Sequence, residues 1–259
     1  MGGFLFKFKI LIKAIQNLKN WYVFPLVYFG LINKKYVYLI TKSGIKIKIR
    51  TNSTDLETFS LIWLLKEYEK FDPMIESDDI IIDVGAHIGI FSMYVSQFCS
   101  TGKIFCYEPS KENFELLCQN IELNNKKNIF QKNCVVSSSD KEVSFYINSD
   151  KTANSLYEST SDSVKIQSQT LQQIFDSNNL KKCDYLKLDC EGAEYEIIDS
   201  LPDRYFINIS KIYIEYHFND SKPELLNKLI KKLEKLSFNI INEPMEQGMG
   251  SIFATKIFG

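Results

Sequence analysis

The sequence predicts an α/β fold: a doubly wound, mostly parallel seven-stranded sheet with a C-terminal antiparallel hairpin, plus an N-terminal helical and hairpin appendage. Three observations predict it. From Asp79 onward, apolar runs at 80–84, 103–108, 128–135, 184–189 and 210–217 alternate with helical patterns at 89–99, 111–124, 170–177, 193–200 and 222–236. Such alternation implies βαβ units and a parallel sheet. The last two runs, Phe238 to Asn242 and Ser251 to Ile257, have only a Pro- and Gly-containing loop between them, so they pair antiparallel. The first strand of the series ends in an acid and a glycine turn, IIIDVGAHIG at 80–89, with a helical pattern directly behind it.

The elements before that point form the appendage, placed at 1–72, with the main domain at 73–259. Phe4 to Leu18 is apolar with Lys7, Lys9 and Lys13 interleaved, and Lys19 follows. Trp21 to Ile32 is an unbroken apolar run, too short to span a bilayer as a helix. No small-residue cleavage site follows, which argues against a signal peptide. A basic, aromatic-rich segment of this kind suits an N-terminal helix packed on the domain, or contact of residues 4–32 with a membrane interface, or a homodimer. Tyr36 to Thr41 and Ile45 to Arg50 flank Ser43-Gly44 as a hairpin. Thr54 to Glu69 reads as a helix capped by Ser53 or Thr54 and stopped by Asp72-Pro73. Between strands three and four, Val143 to Ile147 and Val164 to Ile166 enclose a polar stretch, Asn148 to Ser163. It is either a solvated loop or a lid.

Composition narrows the function classes. A hydrophobic content of 45% in 259 residues excludes a disordered chain. The net charge of −1 gives no global field for nucleic acid, and only Arg50 and Arg204 offer a guanidinium for phosphate or base recognition. The cysteines form no C-x-x-C pair, which predicts no disulfide, no zinc site and a reducing, cytoplasmic setting.

Two constellations carry chemistry. In the first, a glycine turn between strand and helix lets backbone approach a ligand, and Glu108 closes the next strand, where a carboxylate accepts ribose hydroxyls. The pattern lacks the glycines of the dinucleotide fingerprint. Asp83 just ahead of the turn suits a ligand with a cationic amino-acid end better than a diphosphate. S-adenosylmethionine has both that end and a ribose. In the second constellation, YLKLDCEGAEYEII at 185–198, Asp189 ends a strand, and Glu191, Gly192 and Glu194 follow. His217 ends another strand, with Glu215 on its face. Ligands in open α/β sheets sit beyond the carboxyl ends of the strands, so Asp83, Glu108, Asp189 and His217 converge on one crevice. Asp189, Glu191 and His217 are the candidate catalytic residues, and Asp189 or a neutral His217 is the candidate base. Asp189 with Glu191 could hold a divalent ion, but no full ligand set is visible, so no metal is expected.

DVGAHIG, YEPSKENFELLCQNIELN and LKLDCEGAEYEII together resemble the FkbM-type methyltransferase family, over roughly residues 45–257. The resemblance implies a class I methyltransferase (Rossmann-like) fold, S-adenosylmethionine as donor, and transfer to a hydroxyl on a sugar or glycan, a lipid or another small natural product. It implies that Asp83, Gly85, Ala86, His87 and Gly89 hold the methionine end, Glu108 the ribose, and Asn133 with its neighbours the adenine. Position 87 is commonly asparagine in that family. The rival readings are a nicotinamide-dependent oxidoreductase and a non-catalytic cofactor-binding module in glycan assembly. Expected partners are a small-molecule or glycan acceptor and no nucleic acid. The expected location is the cytoplasm, or the inner face of the membrane.

Overall fold

A computed structural model describes residues 4–69, 75–146, 163–246 and 248–257. The chain opens with α1 (Phe4–Asn17) and α2 (Val23–Tyr28), then the hairpin β1 (Tyr36–Ile40) and β2 (Lys46–Arg50), then the short α3 (Asp55–Phe59). The helix expected over 54–69 is broken. After α3 the chain widens into a π-helical turn, Ser60–Leu64, in which Leu65 N–H donates to Ser60 O. A 3₁₀ turn follows at Glu67–Glu69. The expected stop at Asp72-Pro73 and the division at residue 72 lie outside the described residues, as does most of the polar stretch at 148–163.

The main series runs β3 (Ile80–Val84), α4 (Ile90–Val95), β4 (Lys103–Tyr107), α5 (Lys111–Leu123), β5 (Ile129–Lys132), β6 (Val135–Val136), β7 (Glu142–Tyr146) and β8 (Ser163–Gln169). It continues with α6 (Leu171–Ser177), β9 (Cys183–Asp189), α7 (Glu194–Ser200), α8 (Asp203–Phe206), β10 (Ile209–Tyr216), α9 (Pro223–Lys235), β11 (Phe238–Pro244) and β12 (Gly250–Lys256). The seven-stranded sheet has the order β11-β12-β10-β9-β3-β4-β5. β3, β4, β5, β9 and β10 are parallel, and β12 pairs antiparallel with β10 and with β11. Strand β3 is therefore the point from which the chain winds in both directions, and the crevice at its carboxyl end is where such sheets bind ligands. β6, β7 and β8 form a separate small sheet.

Both faces of the sheet are covered, and alternate residues of β3 serve them. Ile81 joins the cluster built with α1, the hairpin, α4 and α5; Ile82 and Val84 join the cluster built with α6, α7 and α9. The N-terminal elements thus share a core with the sheet, through Phe59 and Trp63 among others. Helix α5 also closes the open edge of the hairpin. The Asn120 amide bonds Lys48 N–H and Lys48 O, and the Asn124 amide bonds Lys46 N–H and Lys46 O. Side-chain amides here finish a strand edge that would otherwise be left to pair with another chain.

Candidate active site

The turn after β3 is held by contacts with its own surroundings. Gly85 (φ +76°) has no room for a side chain, because a Cβ there would sit 1.8 Å from Asp189 O. That close approach joins the tips of β3 and β9. The N–H groups of Gly85 and Ala86 both donate to Tyr107 O, so neither is aimed at a ligand. Ala86 is buried, and Gly89 (φ +86°) starts α4 where a Cβ would strike Leu117. His87 stands between them at φ +52°. This left-handed conformation is one that His and Asn tolerate better than most residues.

Asp83 lies beneath that turn and is fully buried. Its Oδ2 accepts from Ser92 Oγ at 2.6 Å and its Oδ1 is 3.2 Å from Lys187 Nζ. The expectation that Asp83 meets a ligand's ammonium directly is corrected: its carboxylate is enclosed and its charge is already matched. Lys187 was missed in the sequence. It sits inside an apolar strand, is 3% exposed, and lies 3.4 Å from Asp189 while donating to Gly85 O. Burial works against its charge, but Asp83 and Asp189 outweigh burial and raise its pKa. The signal was a lysine alternating with apolar residues in a central strand, a position that tolerates charge only with a partner.

Above the turn lies a cavity of about 350 Å³, a size suited to a small ligand. Gly85, His87, Glu108, Asp189 and Glu191 line it. Glu108 is buried and accepts from His87 N at 2.7 Å, Ser110 N at 2.9 Å and Asn113 Nδ2 at 3.4 Å. Burial nevertheless pushes its carboxyl up to about 7. The Asn133 amide is occupied elsewhere, bonding Glu108 O and Pro109 O, so it braces the strand tip. Its neighbours Cys134, Val135 and Val136 form the apolar wall that suits an adenine.

The N-terminal elements supply the roof and fix His87. Arg50 makes a buried bidentate pair with Asp55 at 2.7 and 2.9 Å and reaches His87 Nε2 at 2.9 Å. Arginine can only donate, so Nε2 accepts and the ring is neutral. Burial holds its pKa down to about 4, which agrees. Its 3.4 Å approach to Asp55 is therefore no ion pair. Thr58, Leu61 and Tyr68 complete the roof.

The turn after β9 is arranged differently. Asp189 and Glu191 keep side-chain exposures of 30% and 26%, and Glu191 takes φ +52°. Glu215 is the cross-strand neighbour of Asp189 and lines the cavity, although it was not singled out as a site residue. Burial first, and then the Asp189 charge, push its carboxyl up to about 8. His217 does not line the cavity. Its Nδ1 is 3.2 Å from Glu194 and its Nε2 is 3.4 Å from Glu191, and its N–H donates to Glu194. Burial alone would lower its pKa, but the Glu194 carboxylate outweighs burial and pushes it up to about 10. His217 as neutral base is thus corrected: a ring between two carboxylates keeps its proton. Glu194, fully buried, is the residue that sets this. Asp189, Glu215 and His217 bring one ligand atom each within 4.8 Å of one another, a closer set than the sequence suggested.

Comparison with known proteins accords with this geometry. A "Methyltransferase 1" of Beauveria bassiana is 24% identical, matching over 53% of this chain and 64% of its own length. The "Hexuronic acid methyltransferase AglP" of Haloferax volcanii is 28% identical over 64% of this chain and 66% of its own. The chain therefore spans just under two thirds of the curated relatives it matches. The crystal structure of a methyltransferase FkbM from Methylobacillus flagellatus superposes with a TM-score of 0.50 at 14% identity, covering 76% of this chain and 53% of that one. It shares the fold. The sequence pattern of the Methyltransferase FkbM domain matches residues 83–240, from the buried acid under the glycine turn to strand β11. The cofactor that such membership implies is S-adenosylmethionine, and the chain belongs to the FkbM methyltransferase family.

Proposed function

We propose that the chain is an S-adenosylmethionine-dependent methyltransferase acting on a hydroxyl oxygen, with a sugar or glycan as the first class of acceptor. The observation that carries the mechanism is the position of Asp189. It is a part-exposed carboxylate at the tip of β9, beside Gly85 and facing the cavity that Glu108 and the Cys134–Val136 wall also line. Glu108 accepts the ribose hydroxyls, and the backbone around Gly85 and His87 shapes the place of the methionine end. When bound, the cofactor supplies an activated methyl on a sulfonium. Asp189 would face the acceptor hydroxyl and take up its proton as the methyl is transferred. Orientation provides much of the acceleration, and a placed base adds roughly 10²–10⁴.

The cavity lining narrows the acceptor. Glu57, Glu67 and Glu191 line it, while Glu215 beside them has its carboxyl pushed up to about 8 and adds little charge near neutral pH. Such a wall repels a carboxylate-bearing substrate and favours neutral or amine-bearing ones. The relative named for hexuronic acid supports a sugar acceptor for this chain, and the acidic wall favours one without the acid. The test is methyl transfer from labelled S-adenosylmethionine to a panel of neutral hexosides, amino sugars and hexuronates. Labelled neutral or amino sugar is expected; labelling of hexuronates alone would contradict the acceptor reading. Labelling of none, with cofactor analogues bound, would move the chain to the non-catalytic reading.

A further inference from the structure

The described surface of residues 6–35 has the wrong polarity for water. Helix α1 turns Ala14 inward, with Leu18 just beyond its end, and both are buried. Its opposite side carries Phe8, Ile12 and Ile15, each at least 40% exposed. A helix on the surface of a soluble domain places polar residues there. The apolar exposure continues past the helix with Trp21 and rises to 68% at Phe29 and 69% at Leu31. These residues are packed on the shared core from one side only, so the fold does not bury them.

The charge around them is equally one-sided. The first acidic residue of the chain is Asp55. Ten lysines and arginines precede it, in a chain whose net charge is −1. Lys7, Lys9 and Lys19 are exposed beside the apolar strip, and Lys13 is half-buried in it. We infer that this face of residues 6–35 docks on an anionic lipid bilayer, apolar side chains entering the interface and lysines meeting the headgroups. Two observations choose that occupant. A second copy of the chain would bring the same positive charge to the same patch, since a two-fold interface pairs a surface with itself. No described helix is long and apolar enough to cross a membrane, so the segment lies along the surface.

The test uses the full chain and sedimentation with vesicles of phosphatidylcholine, alone or with a large phosphatidylglycerol fraction. Binding at least about tenfold stronger to the anionic vesicles is expected, since each lysine near such a surface contributes on the order of 1 kcal/mol. Binding should weaken between about 0.1 and 1 M salt, as the screening length falls from about 10 to about 3 Å. Replacing Lys7, Lys9, Lys13 and Lys19 with Gln should erase the anionic preference. Phe8→Ser with Phe29→Ser should lower binding to both vesicle types. Affinity for S-adenosylhomocysteine should not change in either variant, which shows that the fold is intact. Equal or absent binding of the wild-type chain to the two vesicle types would overturn the inference. So would a dimer in sedimentation velocity that Phe8→Ser with Phe29→Ser splits, which would assign the face to a second copy.

Discussion

Two strand-to-helix turns stand side by side at the head of the sheet, one after β3 and one after β9. Each combines positive-φ residues: His87 and Gly89 in the first, Glu191 and Gly192 in the second. They differ in where their charges go. Under the first turn Asp83 is sealed with Lys187 and Ser92. At the second, Asp189 and Glu191 remain partly exposed beside a cavity. Lys187 serves both, because it lies between Asp83 and Asp189. The same residue type is therefore sealed in one turn and left open to a cavity in the other. Sequence position alone does not decide which.

Substitutions can break this contrast, and the largest effect belongs to the sealed side. Gly85→Ala should cost about 3–5 kcal/mol in denaturant unfolding, combining strain at positive φ with a clash against Asp189 O. Asp83→Asn should cost a similar amount, because it leaves Lys187 buried with a lost partner. Asp189→Asn should cost less than Asp83→Asn, since Lys187 keeps its closer partner Asp83, but should lower turnover by roughly 10²–10⁴. Near-normal turnover in Asp189→Asn would make Glu215 the next base to test.

Two pH profiles sharpen the contrast. On the proposed reading Glu108 accepts both ribose hydroxyls as a carboxylate, and its pKa is pushed up to about 7. Affinity for S-adenosylhomocysteine should therefore fall as pH drops through about 7, and Glu108→Gln should flatten that dependence. His217 has a folded pKa of about 10, above its ordinary 6.5. Its stabilising contribution is complete below about 6.5 and is lost as pH rises through about 10. Unfolding at a series of pH values should show this loss in the wild type and less of it in His217→Gln. The smallest effect is expected for His87→Asn, which keeps a residue suited to φ +52° and should leave cofactor affinity within about twofold.

Much of this was legible in the sequence where local pattern and strand period agree. The apolar run at 80–84 is β3, and the helical pattern at 111–124 is α5 to within one residue. Gly85, His87, Glu108, Asp189 and Glu191 reach the cavity because strand ends converge in this topology. The illegible part depends on which strands are neighbours. Nothing local says that β9 lies beside β3, so the Lys187–Asp83 pair could not be foreseen. Nor could the two carboxylates around His217, which come from the turn and helix after β9 while the ring comes from the end of β10. The expected long helix at 54–69 failed for a related reason. Its residues satisfy a roof and a shared core, and a π-helical turn places Ser60 to Leu64 accordingly.

The most direct test of the account is calorimetric titration of the purified chain with S-adenosylhomocysteine and, separately, with NADH. Binding of S-adenosylhomocysteine alone is expected, abolished by Glu108→Ala and retained by Asp189→Asn. Binding of NADH alone, or S-adenosylhomocysteine binding that survives Glu108→Ala, would contradict it.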